Sequence, residues 1–218
     1  MRRRSFPSST PEQTAVLARA ALLGGAFDPI HNGHLELARI AVKELRLDKV
    51  LFMPSWNPPH KGNIHISQRH RLELCRLALA EEPAFSLSTA EVERHCSYTV
   101  DTLRYLQTVY PATEWTLLLG EDAFISLPYW KGAAAVCELA RIAVSRREGE
   151  DAAFEAACAA LRPHFAKVAV LKEKPRTVSS SQIRQLAKRQ QPLDELVPAD
   201  VADYITAHRL YSAEEQPT

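Results

Sequence analysis

Two histidines three residues apart follow a glycine pair in the segment GGAFDPIHNGHL, which begins at Gly24. Paired glycines let the backbone approach a bulky ligand, and the N–H groups of a helix that opens near Gly33 favour an anion. His31 and His34 can direct their imidazoles at the same anion. The segment therefore predicts a phosphate-binding loop, with an ordinary strand–turn–helix bearing two surface histidines as the alternative.

A serine cluster near the C-terminus, VSSSQIR at residues 178–184, has a similar character. The hydroxyls of Ser179, Ser180 and Ser181 stand at a predicted helix start, and Arg184 follows one turn later. Hydroxyls, N–H groups and a guanidinium together can hold a polyphosphate. The alternative is a plain serine N-cap.

The segment PSWNPPHK at residues 54–61 is stiffened by three prolines and places His60 and Lys61 at a loop tip, where an anion is the natural partner. A solvated proline-rich turn is the alternative. His65 and His70 continue a five-residue spacing, but no carboxylate or cysteine completes a metal shell. We expect them to be surface or helix histidines, and we predict no protein metal site.

Two further segments begin helices or follow strands. SYTVDTL at residues 97–103 is typical of a helix N-terminus, with Ser97 or Thr99 as the cap and Asp101 in the first turn. GEDAFISLPYWKG at residues 120–132 follows a predicted strand. Asp122 and Trp130 in this segment are candidate binding residues. The alternative role of Asp122 is that of a helix N-cap, and the alternative role of Trp130 is packing in the core.

These segments are held by short apolar runs that alternate with helix-period segments. The runs predict strands over residues 20–24, 49–53, 114–119, 141–145 and 167–171. The helices are predicted over residues 33–45, 67–80, 98–109, 152–161, 180–189 and 199–208. Strands that are apolar on both faces and alternate with helices predict an α/β fold with a doubly wound parallel sheet. Ligands of such sheets bind beyond the carboxyl ends of the strands.

Composition narrows the function classes. A chain of 218 residues fits one domain, and we assign residues 1–19 to a flexible tail and residues 20–218 to that domain.

Four arginines against one glutamate give residues 1–20 a charge of +3, which leaves −2 on the remaining chain and argues against a nucleic-acid binder. No apolar run approaches the ~20 residues that span a bilayer. The four cysteines form no CxxC pair. We therefore expect a cytoplasmic protein with no membrane partner.

The dinucleotide-binding GxGxxG and the P-loop are both absent. The HxGH form of His31 to His34 is instead similar to that of the nucleotidyltransferase superfamily. With the four other segments in the same order, the chain from residue 22 to residue 211 resembles the nicotinate-nucleotide adenylyltransferase family.

The resemblance implies a Rossmann-like nucleotidyltransferase fold that transfers AMP from ATP to nicotinate mononucleotide. It implies that His31, His34 and Arg184 serve catalysis and that Mg²⁺ is bound mainly through the ATP phosphates. The residues implied to bind ATP are Gly24, Gly25, Ala26, Phe27, His31, His34, Ser179, Ser181 and Arg184. Those implied to bind the mononucleotide are His60 and Lys61 at its phosphate, Thr99 beside the pyridine, Trp130 stacked on it, and Asp122 at the ribose.

Three positions depart from the family pattern. Ala26 replaces a usual Thr or Ser, so only its backbone N–H can meet a phosphate there. Ser181 replaces a usual threonine but keeps the hydroxyl. Lys131 stands where an aromatic residue is frequent. Two alternatives stay open: nicotinamide mononucleotide as the substrate, and a non-catalytic nucleotide sensor, for which Ala26 is the sequence support. A homo-oligomer also stays open.

Overall fold

The computed structural model describes residues 18–56, 64–146, 151–164 and 168–212. Within these ranges six parallel strands form one sheet in the order β3-β2-β1-β4-β5-β6. The strands are β1 Arg19–Gly25, β2 Lys49–Pro54, β3 Phe85–Leu87, β4 Glu114–Gly120, β5 Arg141–Ser145 and β6 Ala169–Val170. The prediction of a doubly wound α/β fold is confirmed.

Helices connect the strands and cover both faces of the sheet. They are α1 Asn32–Leu45, α2 Gln68–Leu79, α3 Ala90–Glu93, α4 Thr99–Val109, α5 Glu121–Ser126, α6 Ala133–Leu139, α7 Asp151–Leu161, α8 Ser180–Lys188 and α9 Ala199–Ala207. Two short 3-10 turns, Leu127–Tyr129 and Arg162–His164, follow α5 and α7. No helix in the described ranges is long and apolar enough to cross a membrane.

Side-chain alternation along the central strand explains the two layers. In β1, Ala21 and Leu23 pack into the apolar cluster on one face, while Ala20 and Leu22 pack into the cluster on the other. All four are almost fully buried. A strand buried on both faces must be apolar throughout, which is why β1 appears in the sequence as a continuous apolar run.

The predicted helices and strands differ from those of the structure mainly where an element is short. Sequence periodicity missed β3, α3, α5 and α6, because elements of three to seven residues contain too few periods to stand out. The strand β1 starts at Arg19, whose N–H donates to Asp48 at 2.8 Å, so this residue of the predicted tail belongs to the sheet. Residues 1–17 lie outside the described ranges, and the division into tail and domain stays a prediction. Lys167, the predicted start of the last strand, also lies outside them.

The strand order fixes where a ligand can enter. The chain leaves β1 toward β2 on one side and later returns to β4 on the other, so the connections diverge between β1 and β4. Helices run away from the sheet in opposite directions at this switch point and leave a crevice at the carboxyl ends of the strands. The segments singled out in the sequence follow β1, β2 and β4, or lie beside that edge.

Candidate active site

A cavity of about 1020 Å³ opens at the carboxyl ends of β1 and β4. Ligand pockets of small molecules generally measure ~300–1,000 Å³, so this cavity has room for a ligand as large as a dinucleotide. One side is formed by the loop after β1, the start of α1 and the start of α8. The other side is formed by the start of α4, by α5 and by Trp130. We call these the phosphate side and the base side.

The loop after β1 presents its backbone to the cavity on the phosphate side. Gly24 and Gly25 line the cavity, and a Cβ on Gly25 would approach the Phe27 ring to 3.3 Å. Phe27 has a positive φ of 47° and is only 2% exposed, so its ring lies beneath the loop in the core. Its predicted contact with ATP can therefore involve only the main chain, and the ring instead supports His34 edge-on at 5.1 Å between centroids.

His31 and His34 stand together at the start of α1. Their rings are stacked, with centroids 3.6 Å apart and planes 20° from parallel, and both line the cavity. The backbone N–H of His31 donates to Nδ1 of His34 at 3.3 Å. Because Nδ1 accepts this bond, a neutral His34 carries its proton on Nε2, where it can be donated to an anion. Gly33 is closely packed, since a Cβ there would lie 3.2 Å from the Arg176 carbonyl oxygen.

The start of α8 closes the phosphate side. Ser179 is the N-cap, and its hydroxyl accepts a hydrogen bond from the N–H of Gln182 at 3.2 Å, which leaves its proton able to reach a phosphate. Ser179 and Ser180 line the cavity, whereas Ser181 and Arg184 do not. The Arg184 guanidinium donates to the Asp28 carbonyl oxygen at 2.8 Å and to the Ser181 hydroxyl at 3.0 Å. In this structure Arg184 therefore links α8 to the loop after β1.

The base side brings together three of the predicted mononucleotide residues. Thr99, Asp122 and Trp130 all line the cavity. The Trp130 indole N–H donates to the Ser126 hydroxyl at 3.0 Å, which fixes the plane of the ring. The N-cap of α4 is Tyr98, so the prediction of Ser97 or Thr99 at this position is wrong. The N-cap of α5 is Gly120, so Asp122 is not a helix cap.

Other predicted residues lie apart from this group. His60 and Lys61 lie outside the described ranges. His70 lies on α2, where its Nδ1 is 3.0 Å from the Tyr204 hydroxyl of α9, as expected of a helix histidine. Lys131 is exposed at the cavity edge, 3.5 Å from an Asp101 carboxylate oxygen and 4.1 Å above the Tyr98 ring.

Comparison with known proteins agrees with this geometry. Residues 22–186 match the family model described as cytidylyltransferase-like. A relative from Herpetosiphon aurantiacus is 39% identical over 202 residues, which cover 90% of this chain and all of the relative. One from Carboxydothermus hydrogenoformans is 37% identical over 197 residues, 89% of this chain and 98% of the relative. Both are named probable nicotinate-nucleotide adenylyltransferases. The chain belongs to the nicotinate-nucleotide adenylyltransferase family.

Solved structures show the same fold. Nicotinic acid mononucleotide adenylyltransferase of Plasmodium falciparum, solved in complex with APC, superposes with a TM-score of 0.70 at 15% identity. The match covers 89% of this chain and 97% of that one. A second structure of the same enzyme, in complex with NaAD, gives a TM-score of 0.70 at 16% identity over 88% and 97% of the two chains. At such identities the likeness establishes the nucleotidyltransferase fold, as predicted.

Sequence reasoning missed the buried hydrogen bonds that hold the loop after β1 in place. Asp28 is 5% exposed, and its carboxylate accepts hydrogen bonds from the Tyr211 hydroxyl at 2.9 Å and from the backbone N–H of His65 at 2.9 Å. The His65 ring also contacts it, through Nδ1 at 2.9 Å. Burial raises the pKa of Tyr211, and the neighbouring Asp28 carboxylate raises it further. No local pattern in the sequence indicates these pairs, since the partners lie 183 and 37 residues apart.

Arg71 on α2 is a second buried brace. It is 1% exposed and donates to the carbonyl oxygens of Ala26 at 2.7 Å and Ser55 at 2.9 Å. These bonds join the loop after β1 to the end of β2. Burial lowers the pKa of Arg71, an effect that the nearby Asp28 carboxylate opposes. The position of Ala26 is thus fixed through its main chain, although it lacks the hydroxyl usual in the family.

Two further residues on the cavity wall were also missed. Arg146, directly after β5, is paired through Nε with the buried Glu121 at 3.1 Å and is also bonded to Asp151. Glu91 on α3 lines the base side although it is only 8% exposed. Burial raises the Glu91 pKa from 4.5 to about 7, while a hydrogen bond from Thr102 opposes the shift. Glu91 belongs to a four-residue helix that periodicity does not reveal.

Proposed function

We propose that this protein transfers the AMP part of ATP to nicotinate mononucleotide, giving nicotinate adenine dinucleotide and pyrophosphate. The observation that carries the proposal is the two-sided cavity: a stacked histidine pair and two helix N-termini on one side, and an oriented indole beside Thr99 on the other. Membership of the family supports the same substrate pair.

The reaction needs alignment and charge stabilisation rather than a protein nucleophile. The 5′-phosphate oxygen of nicotinate mononucleotide attacks the α-phosphorus of ATP in line, the bond from that phosphorus to the bridging oxygen breaks, and pyrophosphate leaves. His34 can donate its Nε2 proton in a hydrogen bond to a non-bridging oxygen at the reacting phosphorus. A fixed donor aimed at developing charge typically contributes 10²–10³-fold in rate.

The phosphate side is pre-organised by contacts beneath it. Arg71 fixes the carbonyl of Ala26, and Arg184 fixes the carbonyl of Asp28. Ser180 adds a third bond, from its hydroxyl to the carbonyl of Pro29 at 2.9 Å. With the carbonyl groups of Ala26, Asp28 and Pro29 held in this way, the loop can present N–H groups to a phosphate without reorganising when the ligand binds.

The base side can orient the pyridine. The indole of Trp130 offers a face for the electron-poor ring, and its bond to Ser126 keeps that face in place. Thr99 is the first residue of α4, so its hydroxyl and the helix N–H groups can meet the nicotinate carboxylate. Asp122, exposed in the first turn of α5, can accept hydrogen bonds from ribose hydroxyls.

We propose that Mg²⁺ enters with ATP and is held mainly by its phosphates. Within the described residues no group of three or more His, Cys, Asp or Glu side chains could hold a metal ion. The ion, when bound with ATP, neutralises part of the charge of the triphosphate.

Release of pyrophosphate from ATP and nicotinate mononucleotide, with identification of the dinucleotide product, tests the proposal. We expect turnover that requires both substrates, and the loss of most of it in His34→Ala. A folded protein that binds ATP and the mononucleotide but releases no pyrophosphate would be a sensor and would contradict the proposal.

A further inference from the structure

Glu91 is a carboxyl group buried in the wall of the base side. It is 8% exposed, lines the cavity together with Ser97, Tyr98 and Thr99, and pairs with no cation of the described residues. Burial of a carboxyl group without an ion pair lowers the stability of a fold, so a structural role alone does not account for Glu91 at the border of a ligand cavity. Its charge state must therefore affect the electrostatic potential that a bound base experiences.

Contacts from α4 and from the turn before it hold Glu91 in place. The Thr102 hydroxyl donates to its Oε1 at 2.7 Å, and the backbone N–H of Cys96 donates to its main-chain carbonyl oxygen at 2.8 Å. The same Thr102 hydroxyl lies 3.3 Å from the carbonyl oxygen of Tyr98. The Glu91 carboxyl is therefore fixed relative to the turn that carries Ser97 to Thr99.

The charged groups around α3 are occupied elsewhere. On α3 itself Glu93 is exposed and accepts a bond from Thr89 at 2.5 Å. Directly after α3, the Arg94 guanidinium lies 4.2 Å above the Tyr105 ring of α4, and the His95 ring is stacked on Trp56 with centroids 4.3 Å apart. Also on α4, Asp101 lies close to both Lys131 and Arg104, at 3.5 and 3.6 Å. The strand β2, against which α3 packs, carries only Lys49 as a charged residue, and its amine donates to the Pro83 carbonyl oxygen.

We propose that Glu91 is a specificity-determining residue whose proton makes the preference for the acid over the amide mononucleotide depend on pH. The inference rests on the proposed function. A neutral Glu91 carboxyl adds no charge near the nicotinate carboxylate, and its one O–H can donate a hydrogen bond toward it. An ionised Glu91 places a second negative charge in the same pocket, which disfavours the nicotinate carboxylate but not the uncharged carboxamide.

The titration falls in the accessible range. Burial raises the Glu91 pKa to about 7, so its charge changes between pH 6 and pH 8. The nicotinate carboxylate stays ionised over this range, and the 5′-phosphate is common to both mononucleotides, so its own titration cancels in their ratio. A coupling of one pKa unit between the two carboxylates corresponds to a tenfold change in that ratio.

The test measures kcat/KM for both mononucleotides with ATP from pH 6 to pH 8.5. For the unmodified chain we expect the acid-to-amide ratio to fall by about tenfold across a midpoint near pH 7. In Glu91→Gln the ratio should be flat with pH, because the amide is neutral and its carbonyl can still accept from Thr102. Glu93→Gln, a change of an exposed carboxylate on the same helix, serves as the matched control and should keep the pH dependence.

A second variant keeps the test decisive if Glu91→Gln does not fold. Thr102→Val removes a hydrogen bond that lowers the Glu91 pKa, so the midpoint should move to higher pH. A ratio that is flat in the unmodified chain, a dependence that survives in Glu91→Gln, or an unmoved midpoint in Thr102→Val each overturns the inference. Failure to turn over either mononucleotide would instead refute the proposed function.

Discussion

The phosphate side and the base side of the cavity are built in different ways. The phosphate side offers backbone groups of one short loop and two helix N-termini, and buried side chains such as Arg71 brace it from below. The base side combines the N-terminus of α4 with side chains from separate segments, among them Trp130 and Glu91. The comparison teaches that a phosphate can be held by a fixed backbone, whereas recognition of a base depends on individual side chains and their charge.

This difference predicts how the two sides should respond to substitution. Changes on the phosphate side should lower turnover for every mononucleotide alike, because both substrates carry the same phosphate. Changes on the base side should alter affinity, specificity or the response to pH while the chemical step continues.

The largest effect is expected for His34→Ala. It removes the donor that the bond from His31 orients toward the cavity, and we expect kcat to fall by roughly 10²-fold to 10³-fold. The measurement is the rate of pyrophosphate release at saturating substrates. His70→Ala, which removes a histidine on α2 outside the cavity, is the matched control. Near-normal turnover in folded His34→Ala would remove this histidine from the mechanism.

The next effect concerns stability on the base side. The folded-state pKa of Glu91, about 7, lies above the ordinary value of 4.5 for a glutamate, so the folded state holds an extra proton between these values. The free energy of unfolding should therefore fall as pH rises from about 4.5 through 7, by on the order of 3 kcal/mol. Urea denaturation of the unmodified chain and Glu91→Gln at several pH values measures it. Parallel curves for the two proteins would show that Glu91 does not titrate there.

A smaller effect is expected for Arg184→Lys on the phosphate side. One ammonium cannot keep the two bonds that the guanidinium makes to the Asp28 carbonyl and the Ser181 hydroxyl. We expect kcat/KM for ATP to fall by roughly tenfold, the equivalent of one such hydrogen bond. Steady-state kinetics with varied ATP measures it. Unchanged constants would make Arg184 a helix residue without influence on the loop.

The smallest effect is expected for Trp130→Ala. Loss of the stacking face should weaken both mononucleotides by a similar factor of about three to ten, since aromatic stacking contributes roughly 0.5–1.5 kcal/mol. The ratio of acid to amide should stay unchanged, because the indole does not contact the carboxylate. Parallel KM measurements for the two mononucleotides check this. A variant that loses the preference but keeps its affinity would contradict the division of roles on the base side.

The sequence predicted the local parts of the phosphate side but not the buried bonds that brace it, for a physical reason. The histidine pair, the glycines and the serine N-cap act through neighbours three or four residues away, so their pattern is local. Arg71 acts on Ala26 across 45 residues, and Tyr211 acts on Asp28 across 183. Partners so distant meet only through the fold, and no spacing in the chain indicates them.

Short secondary-structure elements make the base side harder still to predict from the sequence. Glu91 lies in a helix of four residues, too short for a periodic pattern. The N-cap of α4 is Tyr98 rather than a residue with a short polar side chain. Trp130 and Thr99 were found because their segments resemble those of the family, not because their spacing required a base-binding site.

A side-by-side turnover assay with nicotinate and nicotinamide mononucleotides tests the central claim most directly. If the base side holds the nicotinate carboxylate through Thr99 and the N–H groups of α4, the amide forfeits a charge-assisted bond that contributes on the order of 1.5 to 3 kcal/mol. Near pH 6.5 the chain should then prefer the acid by about tenfold to a hundredfold in kcat/KM. Preference for the amide, or no pyrophosphate release with either mononucleotide, would contradict the account.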